Sequence, residues 1–200
     1  MVRGSVARLC ALAFVVGWAT TVSASAEPMQ TGAATSRPVG HYNFCQRFLA
    51  ECSMEPSRLE PEAGTDELMD LVQRTNIAIN RAIKPMSDRD LYGVAEFWAF
   101  PSWAGDCEDY VLQKRKVLSE SGLSLANLLI TVVRKPDGEG HAVLTLRTDA
   151  GDLVLDNLTD RVLPWQATGY TFIKRQAIEH TGRWVSIQNG APAPLVGSVE

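Results

Sequence analysis

The hydrophobic periodicity of this chain changes near Gly122, and that change limits the folds open to it. Before Gly122 the apolar residues recur at helical spacing, whereas after it they fall into short β-rich runs separated by turn residues. Helices first and strands afterwards are typical of the α+β class. We therefore predict N-terminal helices packed on an antiparallel sheet.

Two helices are predicted before this change. The first covers residues 65–84, where Thr65 suits the N-cap and Pro85 ends the segment. The second begins at Asp106 or Cys107 and ends at Gly122. The aromatic-rich residues 86–105 are predicted to form a long connection between them.

Five strands are predicted after the change, over residues 128–134, 141–148, 153–158, 170–175 and 184–188. Thr148-Asp149-Ala150-Gly151 is predicted to be the turn between the second and third strands. A turn centred near residue 148 or 149 would place His141 opposite Asp156.

The first 26 residues have the features of a cleavable export signal. Arg3 and Arg8 give a basic start, and the apolar run that follows, Leu9 to Ala19, is short for a membrane span. Ala24-Ser25-Ala26 then offers a small-residue cleavage site. An uncleaved N-terminal anchor is the alternative. We expect an exported protein with a flexible leader over 27–41, a folded domain over 42–188 and a flexible tail over 189–200.

Removal of that signal changes the charge and the cysteine count. It takes away two arginines and no acids, so the formal net charge goes from −4 to −6. No Lys/Arg-rich run is present, which argues against nucleic acid as a partner. Three cysteines would remain, so one disulfide and a leftover thiol are expected, or an intermolecular bridge. The predicted pair is Cys45 with Cys52, which leaves Cys107 single.

Three motifs could together form a nucleophilic site. Cys107 opens a helix, where free N–H groups and the helix dipole favour a thiolate. His141 begins a strand and could take the thiol proton, while Asp156 near the end of the next strand could orient the imidazole. Each residue alone has a structural interpretation. Their order in the chain, the helix start at Cys107 and the length of the turn between His141 and Asp156 together favour a Cys-His-Asp triad.

Three acidic residues surround this cysteine, namely Asp106, Glu108 and Asp109. Acids in a first helical turn favour the helix, yet their negative charge raises the pKa of a neighbouring thiol. A bound Ca²⁺ would offset that charge, because it prefers carboxylate oxygens. From the residues alone, calcium binding and plain helix capping remain open alternatives.

These motifs resemble a known family. Glu96-Phe97-Trp98, Gly105-Asp106-Cys107-Glu108-Asp109-Tyr110, Gly140-His141-Ala142-Val143 and Leu155-Asp156-Asn157 are similar to segments of the bacterial transglutaminase-like cysteine peptidases, the family of the LapG-type periplasmic proteases. The Cys45 and Cys52 segment also looks like the opening of many members. The resemblance covers roughly residues 42–188, which is nearly all of the expected mature chain.

The resemblance implies a papain-like, transglutaminase-type core with Cys107, His141 and Asp156 as the triad. It also implies a periplasmic location and a required Ca²⁺ held by Asp106, Glu108 and Asp109. The expected partners are a protein substrate, such as a large surface adhesin in a biofilm, and an inhibitory inner-membrane receptor that responds to cyclic di-GMP.

Two alternatives to an endopeptidase stay open. A transglutaminase-like site could transfer an acyl group to an amine instead of hydrolysing it, and a non-catalytic module could hold a peptide in the same cleft. Trp98 and Trp103 could border such a cleft, although core packing is the favoured interpretation for both.

Overall fold

A computed structural model describes residue 1, residues 27–188 and residue 190. The predicted export signal and the predicted C-terminal tail lie almost entirely outside these residues. Within the described part of the chain, no helix combines the length and apolar character needed to cross a membrane.

The helices of the described chain come mostly before the sheet, as predicted. They are α1 Val39–Arg47, α2 Leu49–Cys52, α3 Asp66–Ala82, α4 Asp88–Tyr92 and α5 Cys107–Glu120. At the start of α3 the Thr65 hydroxyl accepts a hydrogen bond from the Leu68 N–H at 3.2 Å, which confirms the predicted N-cap. Gly122 follows α5 with a φ of 99°, a left-handed conformation that glycine adopts without steric cost.

The strands of the described chain form one large antiparallel sheet and one small parallel pair. They are β1 Thr31–Thr35, β2 Lys84–Pro85, β3 Ala104–Gly105, β4 Leu128–Arg134, β5 Gly140–Thr148, β6 Gly151–Leu155, β7 Leu163–Pro164, β8 Thr171–Ala177 and β9 His180–Ile187. The large sheet has the order β1-β9-β8-β4-β5-β6-β7, and β2 pairs with β3. The five predicted strands correspond to β4, β5, β6, β8 and β9, with shifts of up to four residues at their ends.

The prediction of a flexible leader over residues 27–41 is wrong. This segment contains β1, which pairs with β9 at the edge of the sheet, and the beginning of α1, where His41 is buried. The Thr-Gly-Ala-Ala-Thr sequence of β1 carries no alternating apolar pattern. Backbone hydrogen bonds to β9 hold it in place, and those depend on a strand about 150 residues away in the chain.

The main core lies between the helices and one face of the sheet. Leu128 and Leu144 from the sheet pack there with Val111 and Leu118 of α5 and with Val72 of α3, all fully buried. A smaller cluster covers the opposite face. Packing of α5 across β5 brings the N-terminus of that helix beside the beginning of the strand.

The predicted disulfide is present and joins α1 to α2. Cys45 and Cys52 are bonded with their Cα atoms 5.6 Å apart. Both sulfurs lie against the imidazole of His41, whose Nδ1 accepts a 3.2 Å hydrogen bond from Trp184. Burial, with the charges of Arg115 and Arg37, lowers the pKa of His41 to about 3. Cys107 is thus the free thiol of the described chain.

Candidate active site

Cys107 is the first residue of α5, as the sequence predicts, and its side chain is partly exposed. The preceding residue, Asp106, is the N-cap in extended conformation. The sulfur lies within hydrogen-bonding reach of the Ala142 N–H in β5. This contact brings the beginning of α5 and the beginning of β5 together.

His141 and Asp156 form a buried pair. His141 Nε2 lies 2.8 Å from Asp156 Oδ1, and the two side chains are only 5% and 3% exposed. Because Asp156 engages Nε2, the remaining ring nitrogen, Nδ1, is the one left to exchange a proton with a substrate or a thiol. The structure therefore brings together the imidazole and carboxylate that the sequence pairs.

The register of the hairpin differs from the predicted one. Pairing runs from Thr148 with Gly151 to Leu144 with Leu155, so the turn is centred one residue later than expected. Asp156 follows the last paired residue of β6 and lies diagonally from His141. The displacement along the strand is two residues, which keeps both side chains on the same face because side-chain direction alternates with a period of two.

Tyr170 completes the hydrogen bonding of Asp156 and was missed by the sequence analysis. Its hydroxyl donates to Asp156 Oδ2 at 2.6 Å, and the Leu158 N–H donates to Oδ1 at 3.0 Å. Burial raises the pKa of Asp156, but the hydrogen bonds and the charge of His141 outweigh it, so the net direction is downward. An ionised Asp156 can orient and stabilise an imidazolium. Tyr170 lies just before β8, and nothing in the local sequence links it to residue 156.

The thiol of Cys107 has a raised pKa. Burial is the main cause, followed by the charge of Glu108 and a 3.1 Å hydrogen bond from the sulfur to Glu108 Oε2. The pKa of Glu108 is itself raised by burial and by the neighbouring Asp106. The tension between acids and thiolate that the sequence indicates is therefore present in the structure.

A cluster of three carboxylates lies beside this site, contributed by Asp88, Asp106 and Asp109. Each uses one oxygen for a backbone N–H: Phe97 N–H donates to Asp88, Asp88 N–H to Asp106, and Ala99 N–H to Asp109. The other oxygen of each is buried without a hydrogen-bond partner among the described residues. Their ligand atoms lie within 4.8 Å of one another.

The electrostatics of the cluster favour a cation. Burial raises the pKa of Asp109 to about 7, and burial with the charge of Asp106 raises the pKa of Asp88. A positive ion between these oxygens would satisfy them and relieve their repulsion, and carboxylate oxygens are the ligands that Ca²⁺ prefers. Gly105 allows the close approach, because a Cβ there would overlap the Asp109 carboxylate.

Two of the three predicted metal ligands belong to this cluster. Asp106 and Asp109 are members, whereas Glu108 points to the thiol and groups with Asp106 and Cys107 instead. Asp88 was missed, since it belongs to a different helix, α4. Its only sequence signal is a position directly after the N-cap serine, Ser87, which indicates a helix start and not a ligand.

Cys107 and His141 line an open cavity of about 440 Å³. Its walls come from β2, β3, the start of α5, and the segments before and after the β5–β6 hairpin; they include Pro85, Met86, Gly105, Gly140, Asn157 and Leu158.

Trp98 is buried in the core, as the favoured interpretation held, but Trp103 is 54% exposed with Lys84 over its ring. The core-packing expectation for Trp103 is therefore wrong, because about half of its surface remains open to solvent just before β3.

The family model that matches this chain is the bacterial transglutaminase-like cysteine proteinase, over residues 31–191. The chain belongs to this family. It is thus a cysteine peptidase of the transglutaminase-like superfamily, as the motifs around Cys107 predict. A comparison with curated protein sequences finds no match.

Solved structures share the fold of this cysteine peptidase. Calcium-bound Legionella pneumophila LapG matches with a TM-score of 0.51 and 20% identity, covering 67% of this chain and 77% of that one. A second Legionella pneumophila LapG structure matches with a TM-score of 0.50 and 21% identity, covering 65% of this chain and 73% of that one. EGTA-treated Legionella pneumophila LapG matches with a TM-score of 0.50 and 22% identity, covering 62% of this chain and 69% of that one. The predicted transglutaminase-type α+β fold is confirmed.

Proposed function

We propose that this cysteine peptidase is an exported, calcium-dependent endopeptidase with Cys107, His141 and Asp156 as its catalytic triad. The observation that carries the proposal is the buried 2.8 Å contact between His141 and Asp156 at the wall of the cavity that exposes Cys107. The position of Cys107 at the first turn of a 14-residue helix adds support, because developing negative charge is favoured there.

The mechanism follows from this arrangement. His141 Nδ1 takes the proton of the Cys107 thiol as the sulfur attacks the peptide carbonyl, so the raised pKa of the thiol is overcome during the attack and not before it. The Cys107 N–H at the helix start can stabilise the oxyanion. The imidazolium then protonates the leaving amine. In the second half, His141 activates a water that releases the acyl group as an acid and regenerates the thiol.

Asp156 acts on the His141 imidazole and does not contact the substrate. Its hydrogen bond fixes the tautomer in which Nε2 carries a proton and Nδ1 is free, and its charge stabilises the imidazolium. Tyr170 and the Leu158 N–H keep that carboxylate ionised and aligned.

Calcium is proposed as the cation of the carboxylate cluster. Asp88, Asp106 and Asp109 would hold it through the oxygens that lack a partner, with Glu108 adjacent. When bound, it supplies positive charge that offsets the acids around the thiol. The calcium-bound and EGTA-treated LapG structures concern that protein, and they support the proposal through the shared fold.

The substrate is proposed to be an exported protein of the surface-adhesin type, and the location the periplasm. An inhibitory inner-membrane receptor is the proposed regulator. These points rest on the family resemblance and on the export features of residues 1–26.

The test is to incubate purified protein with isolated cell envelopes of its own producing bacterium and to map new protein N-termini by mass spectrometry. Wild type with calcium is expected to create discrete new N-termini, and Cys107→Ala and His141→Ala to create none. The control is His180→Ala, a histidine that does not line the cavity. Loss with EGTA and recovery with excess calcium test the metal dependence.

Three outcomes would contradict parts of this proposal. Undiminished cleavage by Cys107→Ala would remove Cys107 as the nucleophile. Incorporation of an added primary amine at the mapped site would assign acyl transfer in place of hydrolysis. Peptide binding without any product in calcium and reductant would assign a non-catalytic binding module.

A further inference from the structure

Helix α3 carries a stripe of three amide side chains, Gln73, Asn76 and Asn80. Their spacing of three and four residues puts them on one face of the helix. Asn76 is fully buried. Amides at helix positions that face the protein interior need hydrogen-bond partners, so their partners indicate what this face contacts.

All three amides bind the backbone that follows Asp156. Asn80 Nδ2 donates to the carbonyl of Asp156 at 3.0 Å and to that of Thr159 at 3.1 Å. Asn76 Nδ2 donates to the carbonyls of Thr159 at 3.0 Å and Asp160 at 3.2 Å. The stripe therefore reaches the carbonyl of Asp156 itself.

Gln73 closes the far end of the same segment. Its Nε2 donates to the Asp160 carbonyl, and its Oε1 accepts from the Val162 N–H at 3.2 Å. Residues 156–162 are thus fixed along one face of α3 over two helical turns.

This segment needs external support because it leaves the sheet. The last residue of β6 is Leu155, so the backbone of Asp156 has no ladder partner in β5. The Asp156 carboxylate must nevertheless stay within 2.8 Å of His141. A carboxylate on an unsupported loop would orient the imidazole poorly, since small displacements of supporting groups cost activity.

We propose that Gln73, Asn76 and Asn80 are positioning residues that hold Asp156 against His141. This inference rests on the proposed triad. It assigns to α3, which contributes no residue to the cavity, the function of fixing the third triad residue through its backbone.

The test measures the His141–Asp156 hydrogen bond directly. Histidine-selective ¹⁵N labelling and proton NMR would identify the His141 Nε2–H signal, assigned by its absence in His141→Ala. Asn80→Ala and Asn76→Ala are expected to move this signal upfield or to lose it by exchange. Arg74→Ala, an exposed α3 residue paired with Asp70, is the matched control and should leave it unchanged.

Kinetics on a peptide spanning the mapped cleavage site provide the second readout. Asn80→Ala is expected to lower kcat by about ten- to a hundredfold with KM unchanged, as for other supporting groups of active sites. Asn80→Ser, which retains a donor, is expected to recover part of the loss. Gln73→Ala, which removes a partly buried amide at the other end of the stripe, replaces Asn80→Ala if that variant does not fold.

The two proposals fail in different ways. A folded Asn80→Ala with unchanged His141 signal overturns the positioning role, whether or not kcat falls. Full activity in Cys107→Ala overturns the triad, while the NMR signal still reports whether α3 fixes Asp156.

Discussion

Tyr170 donates a 2.6 Å hydrogen bond to the one carboxylate oxygen of Asp156 that His141 leaves free. The two residues lie next to different strands, since Tyr170 directly precedes β8 and Asp156 directly follows β6. With this contact, His141, Asp156 and Tyr170 form a continuous chain of hydrogen bonds. Each oxygen of the carboxylate therefore has its own partner, and the two contacts together fix its orientation.

Replacement of Tyr170 by phenylalanine should weaken catalysis without abolishing it. The variant loses a charge-assisted hydrogen bond, and we expect kcat to fall roughly three- to tenfold. Because Tyr170 lowers the pKa of Asp156, its loss should move the acid limb of the kcat/KM profile to higher pH. Tyr110→Phe is the control, because Tyr110 is more deeply buried than Tyr170 and its hydroxyl donates to the Ile83 carbonyl, away from Asp156. Equal effects in the two variants would show only a general loss of a buried hydroxyl.

Asp88→Asn should change stability in opposite directions with and without calcium. Without calcium, removal of one of three crowded carboxylates reduces repulsion, so the melting temperature should rise. With calcium, the variant has one fewer charged ligand, so its affinity should fall by about tenfold or more and the calcium-induced increase in melting temperature should shrink. Calorimetry with EGTA and with titrated calcium measures both. Asp70→Asn, on the exposed face of α3, should behave as wild type, and an identical calcium response in Asp88→Asn would contradict this site.

Lys114→Met should abolish an increase in stability that the wild-type protein shows as the pH rises above 7. Lys114 is fully buried on α5, and burial lowers its pKa to about 7 against the opposing effect of Asp156 and Asp160. Between pH 7 and the ordinary lysine value of 10.5, the unfolded chain therefore holds the proton that the folded chain lacks, and stability rises with pH. The rise is at most about 1.4 kcal/mol per pH unit.

Urea unfolding from pH 7 to 10 measures this difference. The wild-type free energy of unfolding should increase relative to that of Lys114→Met, while Lys116→Met, two residues along on the exposed side, should follow wild type. Parallel curves for wild type and Lys114→Met would mean that Lys114 keeps an ordinary pKa when folded.

Loss of the disulfide should lower stability but not activity. The Cys45→Ala/Cys52→Ala double variant opens a loop of seven residues, for which the chain-entropy model gives about 2–3 kcal/mol. Urea unfolding should show this decrease, and cleavage by the folded fraction should be unchanged because neither cysteine lines the cavity with Cys107. A selective loss of kcat at full stability would contradict a purely structural disulfide.

Much of the candidate site was predictable because its determinants are local. A helix beginning at Cys107 follows from the helical spacing of the apolar residues after it. The hairpin that joins His141 to Asp156 follows from the turn residues midway between them in the sequence. The turn is centred one residue later than predicted, which shifts the pairing between the two strands by two residues. His141 and Asp156 stay together because a shift of two residues keeps a side chain on the same face of a strand. The disulfide was predictable because its cysteines are close in sequence.

The residues that were missed all act over long distances in the chain. Asp88 joins Asp106 and Asp109 from a separate short helix, and Asn80 reaches Asp156 from α3. A single asparagine or aspartate in a helix is compatible with many environments, so its type alone does not identify a partner.

The sequence by itself determined the order of elements, the nucleophile at its helix start and the membership of the histidine and aspartate in one hairpin, since these depend on periodicity and on short spacings. Only the tertiary structure decided which groups support them. β1 becomes a strand through its pairing with β9, Tyr170 and α3 fix Asp156, and three carboxylates from two helices converge on one point. The physical reason is that backbone ladders, buried hydrogen bonds and charge clusters are satisfied by whichever groups packing brings together, and packing of distant segments is a property of the whole fold.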